Sequence, residues 1–151
     1  MRSQRLLVLA LALSLLVLGL SVYAQVNRPY RNGSVWAVSF IRMNPGMESA
    51  YLNYIASDWK KEQEASKTAG LSLSYKVLQT EAHSPQDWNL ILMTEFKDLA
   101  TLEANEKKAD ALAQRVIGND DQQRQGYKQR SEIREVMGTR LVREVVLEPR
   151  P

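Results

Sequence analysis

Apolar and polar positions recur with two different periods along residues 35–147, and the changes of period divide this stretch into elements. Residues 35–43 (VWAVSFIRM) are rich in β-branched and aromatic residues, and apolar side chains occupy both odd and even positions. This pattern predicts a strand covered on both faces, and therefore a central one. At Asn44-Pro45-Gly46 the period changes, with Asn44 predicted as N-cap and Pro45 as the first helical residue. The helix is expected to reach about Lys67 and to end at Gly70.

A β-hairpin is predicted from Leu71 to Phe96, where two apolar runs flank the six-residue break EAHSPQ. If Gln79 pairs near Trp88, the two strands present one apolar and one mixed face. The apolar face holds Leu71, Leu73, Tyr75, Val77, Leu90, Leu92, Thr94 and Phe96. The mixed face holds Ser72, Ser74, Lys76, Leu78, Asn89, Ile91, Met93 and Glu95. We expect the apolar face to pack against helices.

Two further helices and a last strand complete the pattern. Asp98 is the predicted N-cap of a helix that Gly118 ends. Asn119 to Gln122 has the spacing of a capping box and begins a third helix, which is expected to reach about Met137. Residues 140–147 (RLVREVVL) are predicted to form the last strand.

The predicted element order is β-α-β-β-α-α-β, which indicates an α+β fold. Right-handed crossovers and a hairpin of neighbouring strands lead to a four-stranded antiparallel sheet in the order 4-1-3-2. Both main helices then lie on one face of the sheet. This arrangement is a ferredoxin-like plait.

The N-terminus has the layout of a secretory signal peptide. A basic start (MRSQR) precedes 15 apolar residues, and Val22 and Ala24 occupy the small positions before a cleavage site. We therefore predict a signal peptide over 1–24, a linker over 25–34 and one domain over 35–148. The protein is expected to be exported, as a periplasmic or secreted protein with no membrane span after cleavage; an uncleaved anchor is the alternative.

Composition narrows the expected chemistry. Loss of Arg2 and Arg5 with the signal lowers the formal net charge from +3 to +1, and no basic face is interleaved with aromatic residues, so we expect no nucleic-acid partner. The chain has no cysteine and a single histidine, His83, in the hairpin loop. Metal-binding and nucleotide-binding motifs are absent from the sequence, so no metal and no cofactor is expected.

Several segments carry a family resemblance. The strand ending in MNPGMESAY, the hairpin and the TEFKDLATLE junction resemble the dimeric α/β-barrel superfamily, which includes the antibiotic-biosynthesis-monooxygenase-like domains. Within it, WKKEQ, SYKVL and REVMGTRLVREVVL resemble a group of exported bacterial proteins without assigned function. The resemblance implies a homodimer in which two sheets pack face to face. The mixed hairpin face is suited to that role, with Lys76 and Glu95 expected as an ion pair at the interface.

The candidate site is a pocket between the first helix and the sheet. Its predicted ligand-binding residues are Trp36, Tyr54, Trp59 and Tyr75, and its candidate catalytic residue is Asp58. A carboxylate held against aromatic side chains has a raised pKa and can act as a general base. The simpler interpretation places Asp58 in water at the edge of the helix.

Three functional interpretations remain open from the sequence. The first is an exported protein that binds or transforms a small apolar or aromatic molecule in this pocket. The second is a structural or interaction homodimer of the cell envelope without catalytic activity. The third is haem binding, which the absence of a histidine from both main helices disfavours. Whether the protein is an enzyme stays open.

Overall fold

The structure of the protein, a computed structural model, describes residues 29–84 and 86–148. The predicted signal peptide, residues 1–24, lies outside the described residues. The elements in chain order are β1 (Tyr30–Met43), α1 (Glu48–Tyr54), a π-helical turn (Ile55–Trp59), α2 (Lys60–Thr68), β2 (Ser74–Gln79), β3 (Leu90–Phe96), α3 (Leu99–Ala104), α4 (Glu106–Val116), α5 (Asp120–Ser131) and β4 (Arg134–Leu147). Strand β1 thus begins inside the segment predicted as a linker.

The four strands form one sheet in the order β2-β3-β1-β4, which confirms the predicted topology. Strand β3 pairs antiparallel with both β1 and β2. Between β1 and β4, Ser34 contacts Glu144 and Ser39 contacts Thr139, so these strands also run in opposite directions. The fold is the predicted α+β, ferredoxin-like plait with a four-stranded antiparallel sheet.

The chain divides into two compact units. Residues 33–144 form the larger unit, which holds the core and the sites described below. Of the smaller unit, the structure describes residues 29–32 and 145–148. Within its described part, Arg31 forms an exposed ion pair with Glu148 at 3.2 Å, and the Glu148 N–H donates to the Pro29 carbonyl at 2.9 Å.

The hairpin register preserves both predicted faces. Gln79 pairs with Leu90 rather than Trp88, a shift of two residues, which leaves every side chain on the face assigned to it. The helix-covered face of the sheet carries Ile41, Met43, Leu90 and Leu92, which pack with Tyr51 and Ile55 of the first helix as the buried core. The other sheet face, which we call the second face, carries Trp36, Val38, Phe40, Lys76, Leu78, Ile91 and Met93.

The first helix begins later than predicted. Its N-cap is Met47 and its first residue is Glu48, because Asn44 to Gly46 form a turn closed by the Met47 N–H to the Asn44 carbonyl at 2.9 Å. Gly46 adopts φ +79°, which a helix does not allow. The predicted end is confirmed: Gly70, at φ +69°, follows the last turn, and the Leu71 N–H donates to the Ser66 carbonyl as in a Schellman motif.

A π-helical turn lies within the first helix, where the sequence predicts only α-helix. Residues 55–59 form this turn, and the chain stays helical on both sides of it. The Ser57 hydroxyl donates to the Asn53 carbonyl at 2.8 Å and lies 3.3 Å from the Tyr54 carbonyl. Such side-chain bonds to the preceding turn loosen the α-helical pattern, and π turns occur often near functional sites.

The last third of the chain follows the prediction up to Ser131, except that the single helix predicted between Asp98 and Gly118 is divided at Asn105 into α3 and α4. Asp98 caps α3, its side chain accepting from the Thr101 N–H at 2.6 Å, and Asn119 and Gln122 form the predicted capping box of α5. Beyond that point the prediction is wrong: α5 ends at Ser131 instead of near Met137, and β4 begins at Arg134 instead of Arg140. Pairing with β1, seen in the Asn44 N–H bond to the Ile133 carbonyl, replaces the helical hydrogen bonds there.

Candidate functional site

The predicted site residues divide between the two faces of the sheet. Trp59 and Tyr75 meet on the helix-covered face as an edge-to-face pair with ring centroids 5.4 Å apart. Trp36 pairs with Glu95 on the second face, where the Lys76 ammonium lies 5.1 Å from its ring centroid. The structure therefore does not bring Trp36 together with the other candidates.

Tyr75 is tied to the first helix by a second contact. Its hydroxyl donates to Glu64 Oε1 at 2.5 Å. This hydrogen bond to the neutral phenol, next to the Glu64 charge, raises the pKa of Tyr75. Trp59 and Tyr75 thus join helix to hairpin, as a packing contact in which the Tyr75 hydroxyl already has a partner.

Asp58 lies on the π-helical turn and is exposed to solvent. Its neighbour in the candidate set, Tyr54, faces the opposite direction from Tyr75, towards α5. There it stacks on Tyr51, with ring centroids 5.7 Å apart, and receives the Arg130 guanidinium 4.3 Å above its ring. This contact brings together a group of side chains that the sequence analysis did not single out.

We call this group the tyrosine–arginine cluster. It lies between the first helix, α5 and the start of β4. Its members are Tyr51, Tyr54, Glu62, Tyr127, Arg130 and Arg134.

Arg134 is the most buried cation of the cluster, with 6% of its surface exposed. Its guanidinium lies 4.7 Å from the centroid of the Tyr127 ring, and its charge opposes the rise that burial causes in the pKa of Tyr51. The buried Nε has no hydrogen-bond partner among the described residues. The ion pairs of the described residues involve neither Arg134 nor Arg130. Both guanidinium groups therefore lie against aromatic rings, outside any ion pair.

Glu62 supplies the cluster with a carboxyl group of altered acidity. Burial raises its pKa, and the attraction of Arg130 opposes the rise only in part. Burial likewise raises the pKa values of Tyr51 and Tyr54. The sequence analysis expected a carboxyl group with a raised pKa, held against aromatic side chains, at Asp58. The structure has such a carboxyl group one turn later, at Glu62, with the Arg130 guanidinium as an additional neighbour.

A cavity of about 330 Å³ lies at the other end of the first helix. We call it the helix–sheet cavity. Its apolar wall is formed by the end of the Schellman motif, the last residue of β3 and one face of α3 and α4: Leu71, Phe96, Leu102 and Ala109. Three carboxylates also line it, Glu103, Glu106 and Asp110. Its volume is at the lower end of the range found for small-molecule pockets.

A second, wider groove of about 670 Å³ runs between the Asn44–Gly46 turn and the hairpin loop. Its lining is mostly polar, including Glu48, Glu81 and Asp87. His83 is exposed in the same loop, where its backbone N–H donates to Asp87 Oδ2 at 3.1 Å. This contact uses the backbone, so it does not build an acid–histidine pair for nucleophilic catalysis.

Within residues 29–84 and 86–148, no three acidic or histidine side chains gather in a way that could hold a metal ion. In the same residues, no helix has both the length and the apolar character needed to cross a bilayer.

The expected interface ion pair has different partners in the structure. Glu95 accepts a hydrogen bond from the Ser74 hydroxyl at 2.5 Å, while Lys76 lies over Trp36. The Ser74 and Ser34 hydroxyls are the main causes that lower the pKa of Glu95, and Lys76 contributes least. The second face thus carries a charged carboxylate beside an aromatic–ammonium contact.

Comparison with known proteins adds little to this description. No family model matches the chain. No curated protein sequence matches it. Among solved structures it is similar to a dimeric ferredoxin-like protein from an uncultured marine organism, at 14% identity over 79% of this chain and 99% of that chain, with a TM-score of 0.45. A likeness at this level carries no argument, so the fold assignment rests on the strand order.

Some of the residues described here left a signal in the sequence. Leu102 and Ala109 belong to the apolar stripe of the predicted second helix, and the three cavity carboxylates recur three and four residues apart on the same helix. Tyr127, Arg130 and Arg134 have a similar spacing. The missing information was spatial: periodicity identifies a helix face but does not say which other element meets it.

Proposed function

We propose that this protein binds a small apolar or aromatic molecule in the helix–sheet cavity. The observation that carries the proposal is the cavity itself, walled by Leu71, Phe96, Leu102 and Ala109 between the sheet and two helices. A concave, mostly apolar space of this size is a general feature of ligand sites, and a packed core without ligand has no need of it.

The proposed form of the protein is an exported homodimer of the antibiotic-biosynthesis-monooxygenase-like type. The signal-like pattern of residues 1–24 supports export, as a periplasmic or secreted protein. The resemblance of MNPGMESAY and TEFKDLATLE to that family, together with the ferredoxin-like strand order, supports the family. No reaction is part of the proposal.

The second face supports the homodimer. Leu78 is 48% exposed, and the same face carries half-buried Ile91 and Met93 on the neighbouring β3 and Phe40 on β1. Apolar side chains grouped on one face of a sheet mark an interaction surface, and a second copy of the same face presents matching apolar area.

A structural homodimer without ligand is the second candidate function. It is favoured by the contacts of the original site residues: Trp59 packs on Tyr75, Tyr54 packs on Tyr51, and Asp58 lies in solvent. On this view the aromatic residues belong to the core and hold the helix to the sheet.

Thermal-shift screening of the mature chain, residues 25–151, against small aromatic and aliphatic compounds tests the proposal. We expect at least one compound to raise Tm in the wild type and not in Leu102→Trp, in which the new ring fills the cavity. Ile117→Trp, at the C-terminal end of α4 and outside the lining, is the control and should respond as the wild type does. If no compound raises Tm, the structural homodimer replaces the ligand-binding proposal.

A further inference from the structure

The helix–sheet cavity combines an apolar wall with charge of a single sign. Every charged side chain that lines it is acidic: Glu103, Glu106 and Asp110. All three are exposed at the mouth of the cavity, whereas Leu71, Phe96 and Leu102 of the wall are half-buried. The negative charge therefore lies at the entrance and the apolar surface lies deeper.

These carboxylates are not neutralised by neighbouring cations. The ion pairs of the described residues are Arg31–Glu148, Arg42–Glu135 and Arg124–Asp121, and none includes a cavity carboxylate. Lys107 and Lys108 lie on the same helix, but neither approaches these acids to within 4 Å. None of the three carboxylates is thus held in an ion pair, and all the charged side chains that line the entrance are negative.

Glu106 differs from the other two acids in its place on the helix. Asn105 is the N-cap of α4, and the first helical hydrogen bond runs from the Ala109 N–H to the Asn105 carbonyl at 2.9 Å. The partial positive charge of this helix N-terminus therefore acts on Glu106, whereas Glu103 and Asp110 lie outside the first turn of α4.

We infer that the ligand of this cavity is an amphiphilic cation, an aromatic or aliphatic group with an ammonium at one end. The apolar end fills the space between Phe96 and Leu102, and the ammonium stays at the entrance beside the three carboxylates. A carboxylic acid of the same shape is repelled there, and a neutral analogue gains only the apolar contact. The inference rests on the proposed function, because it names the chemical class that this same cavity selects.

Three probes of similar shape distinguish the effect of the ligand's charge on binding from the effect of its shape: 2-phenylethylammonium, 2-phenylethanol and phenylacetate. Isothermal titration calorimetry of the mature chain at pH 7 and low salt should give a Kd about tenfold lower for the ammonium than for the alcohol, since several exposed charge pairs contribute roughly 0.2–1 kcal/mol each. Phenylacetate should bind more weakly than the alcohol. Raising the salt concentration should weaken binding of the ammonium and leave that of the alcohol unchanged.

Charge variants test whether the preference for the ammonium over the alcohol arises from the carboxylates at this entrance. Glu106→Gln with Asp110→Asn should bring the ammonium Kd close to that of the alcohol without changing the latter. Glu81→Gln with Glu132→Gln removes the same amount of charge from exposed positions elsewhere and should keep the preference. The salt series on the wild type tests the same point if the first double variant does not fold.

The outcomes distinguish the two proposals. If the alcohol binds as tightly as the ammonium, or phenylacetate binds best, the cationic ligand is wrong and the apolar cavity remains a binding site. If none of the three probes binds, and the screen of small apolar compounds is also negative, both the cationic ligand and the proposed function are overturned.

Discussion

At the scale of single residues, the tyrosine–arginine cluster shows how burial changes side chains that the sequence presents as ordinary surface. Glu62 and Arg134 belong to a polar segment and a polar strand start, yet one has a raised pKa and the other is almost fully buried. Each loses solvation in the folded state and recovers only part of it from Arg130, Tyr51 or Tyr127. The cluster is therefore a place where stability depends on charge.

Glu62→Gln should raise stability at neutral pH. Because the pKa of Glu62 is higher in the folded state than its ordinary value of 4.5, the folded protein holds this proton more tightly than the unfolded chain does. The contribution of Glu62 to the free energy of unfolding of the wild type is therefore fully present at low pH. It is lost as the pH rises from about the ordinary pKa through the higher pKa of the folded state. Glutamine shows no such loss.

Urea denaturation between pH 3.5 and 8 checks this expectation. The difference between Glu62→Gln and wild type should be near zero at the acid end and should grow as the pH rises. Glu132→Gln, at an exposed position, is the control and should show no comparable trend. A variant less stable than wild type at pH 7 would mean that the attraction of Arg130 outweighs desolvation.

Two substitutions of Arg134 distinguish the contribution of side-chain packing to stability from that of the buried charge. Arg134→Ala should destabilise the fold by about 2–4 kcal/mol, since it leaves a void beside Tyr51 and Tyr127. Arg134→Met fills much of the same volume without a buried charge and should lie within about 1 kcal/mol of wild type, or above it. Chemical denaturation measures both. Equal losses in the two variants would show instead that the guanidinium contacts with the rings are essential.

At the scale of elements, the sequence predicted best where the signal is local. The caps at Asp98 and Asn119 and the stop at Gly70 were each identified from one or two residues, because capping is a contact within a few positions. The hairpin faces were also predicted, since an error of two residues in register leaves a period-2 pattern unchanged. The boundary between α5 and β4 was missed because it depends on β1, which is distant in sequence.

Asn119→Ala should weaken α5. The Asn119 side chain accepts from the Gln122 N–H at 3.0 Å, and the Gln122 side chain accepts from the Asn119 N–H at 2.9 Å. Loss of this capping box should lower the free energy of unfolding by about 1 kcal/mol, whereas Asn119→Asp keeps an N-cap oxygen and should retain most of it. Urea denaturation of both variants decides the matter; identical stabilities would show that α5 is held by packing alone.

At the scale of the whole molecule, the two faces of the sheet have different roles. One is covered by helices and holds the core, while the second face offers apolar side chains and the Trp36–Lys76 contact to whatever covers it. This asymmetry was predicted from the mixed composition of the hairpin. The candidate site was predicted less well. Side chains alternate between the two faces along a strand, and this alternation places Trp36 on the second face, away from the other candidates. The helix–sheet cavity depends on where α3 and α4 cross the end of the sheet, which the sequence pattern does not give.

Met93→Arg should convert the proposed homodimer to a monomer. Met93 lies on the second face between Val38 and Lys76, so a guanidinium there would meet its own copy across a two-fold axis or remain buried without a partner. Light scattering should give twice the chain mass for the mature wild type and the single chain mass for the variant. Gln129→Arg, on the exposed side of α5, should stay dimeric. A monomeric wild type at all concentrations would remove the homodimer from the proposal.

The π-helical turn at Ile55–Trp59 has a consequence for how this chain tolerates insertions and deletions. A π turn accommodates one additional residue within an α-helix. Each residue after the turn is therefore rotated by about 100° around the helix axis from the position that an uninterrupted α-helix with the same first residue would give it. Gln63 reaches Thr94, whose hydroxyl donates to it at 2.8 Å, only with that rotation. Deleting Ser57 removes the additional residue, so an uninterrupted α-helix should form in which Gln63, Glu62 and Trp59 still face their present partners. Among relatives of this chain, a first helix that is one residue shorter and has no π turn should therefore be compatible with the same packing.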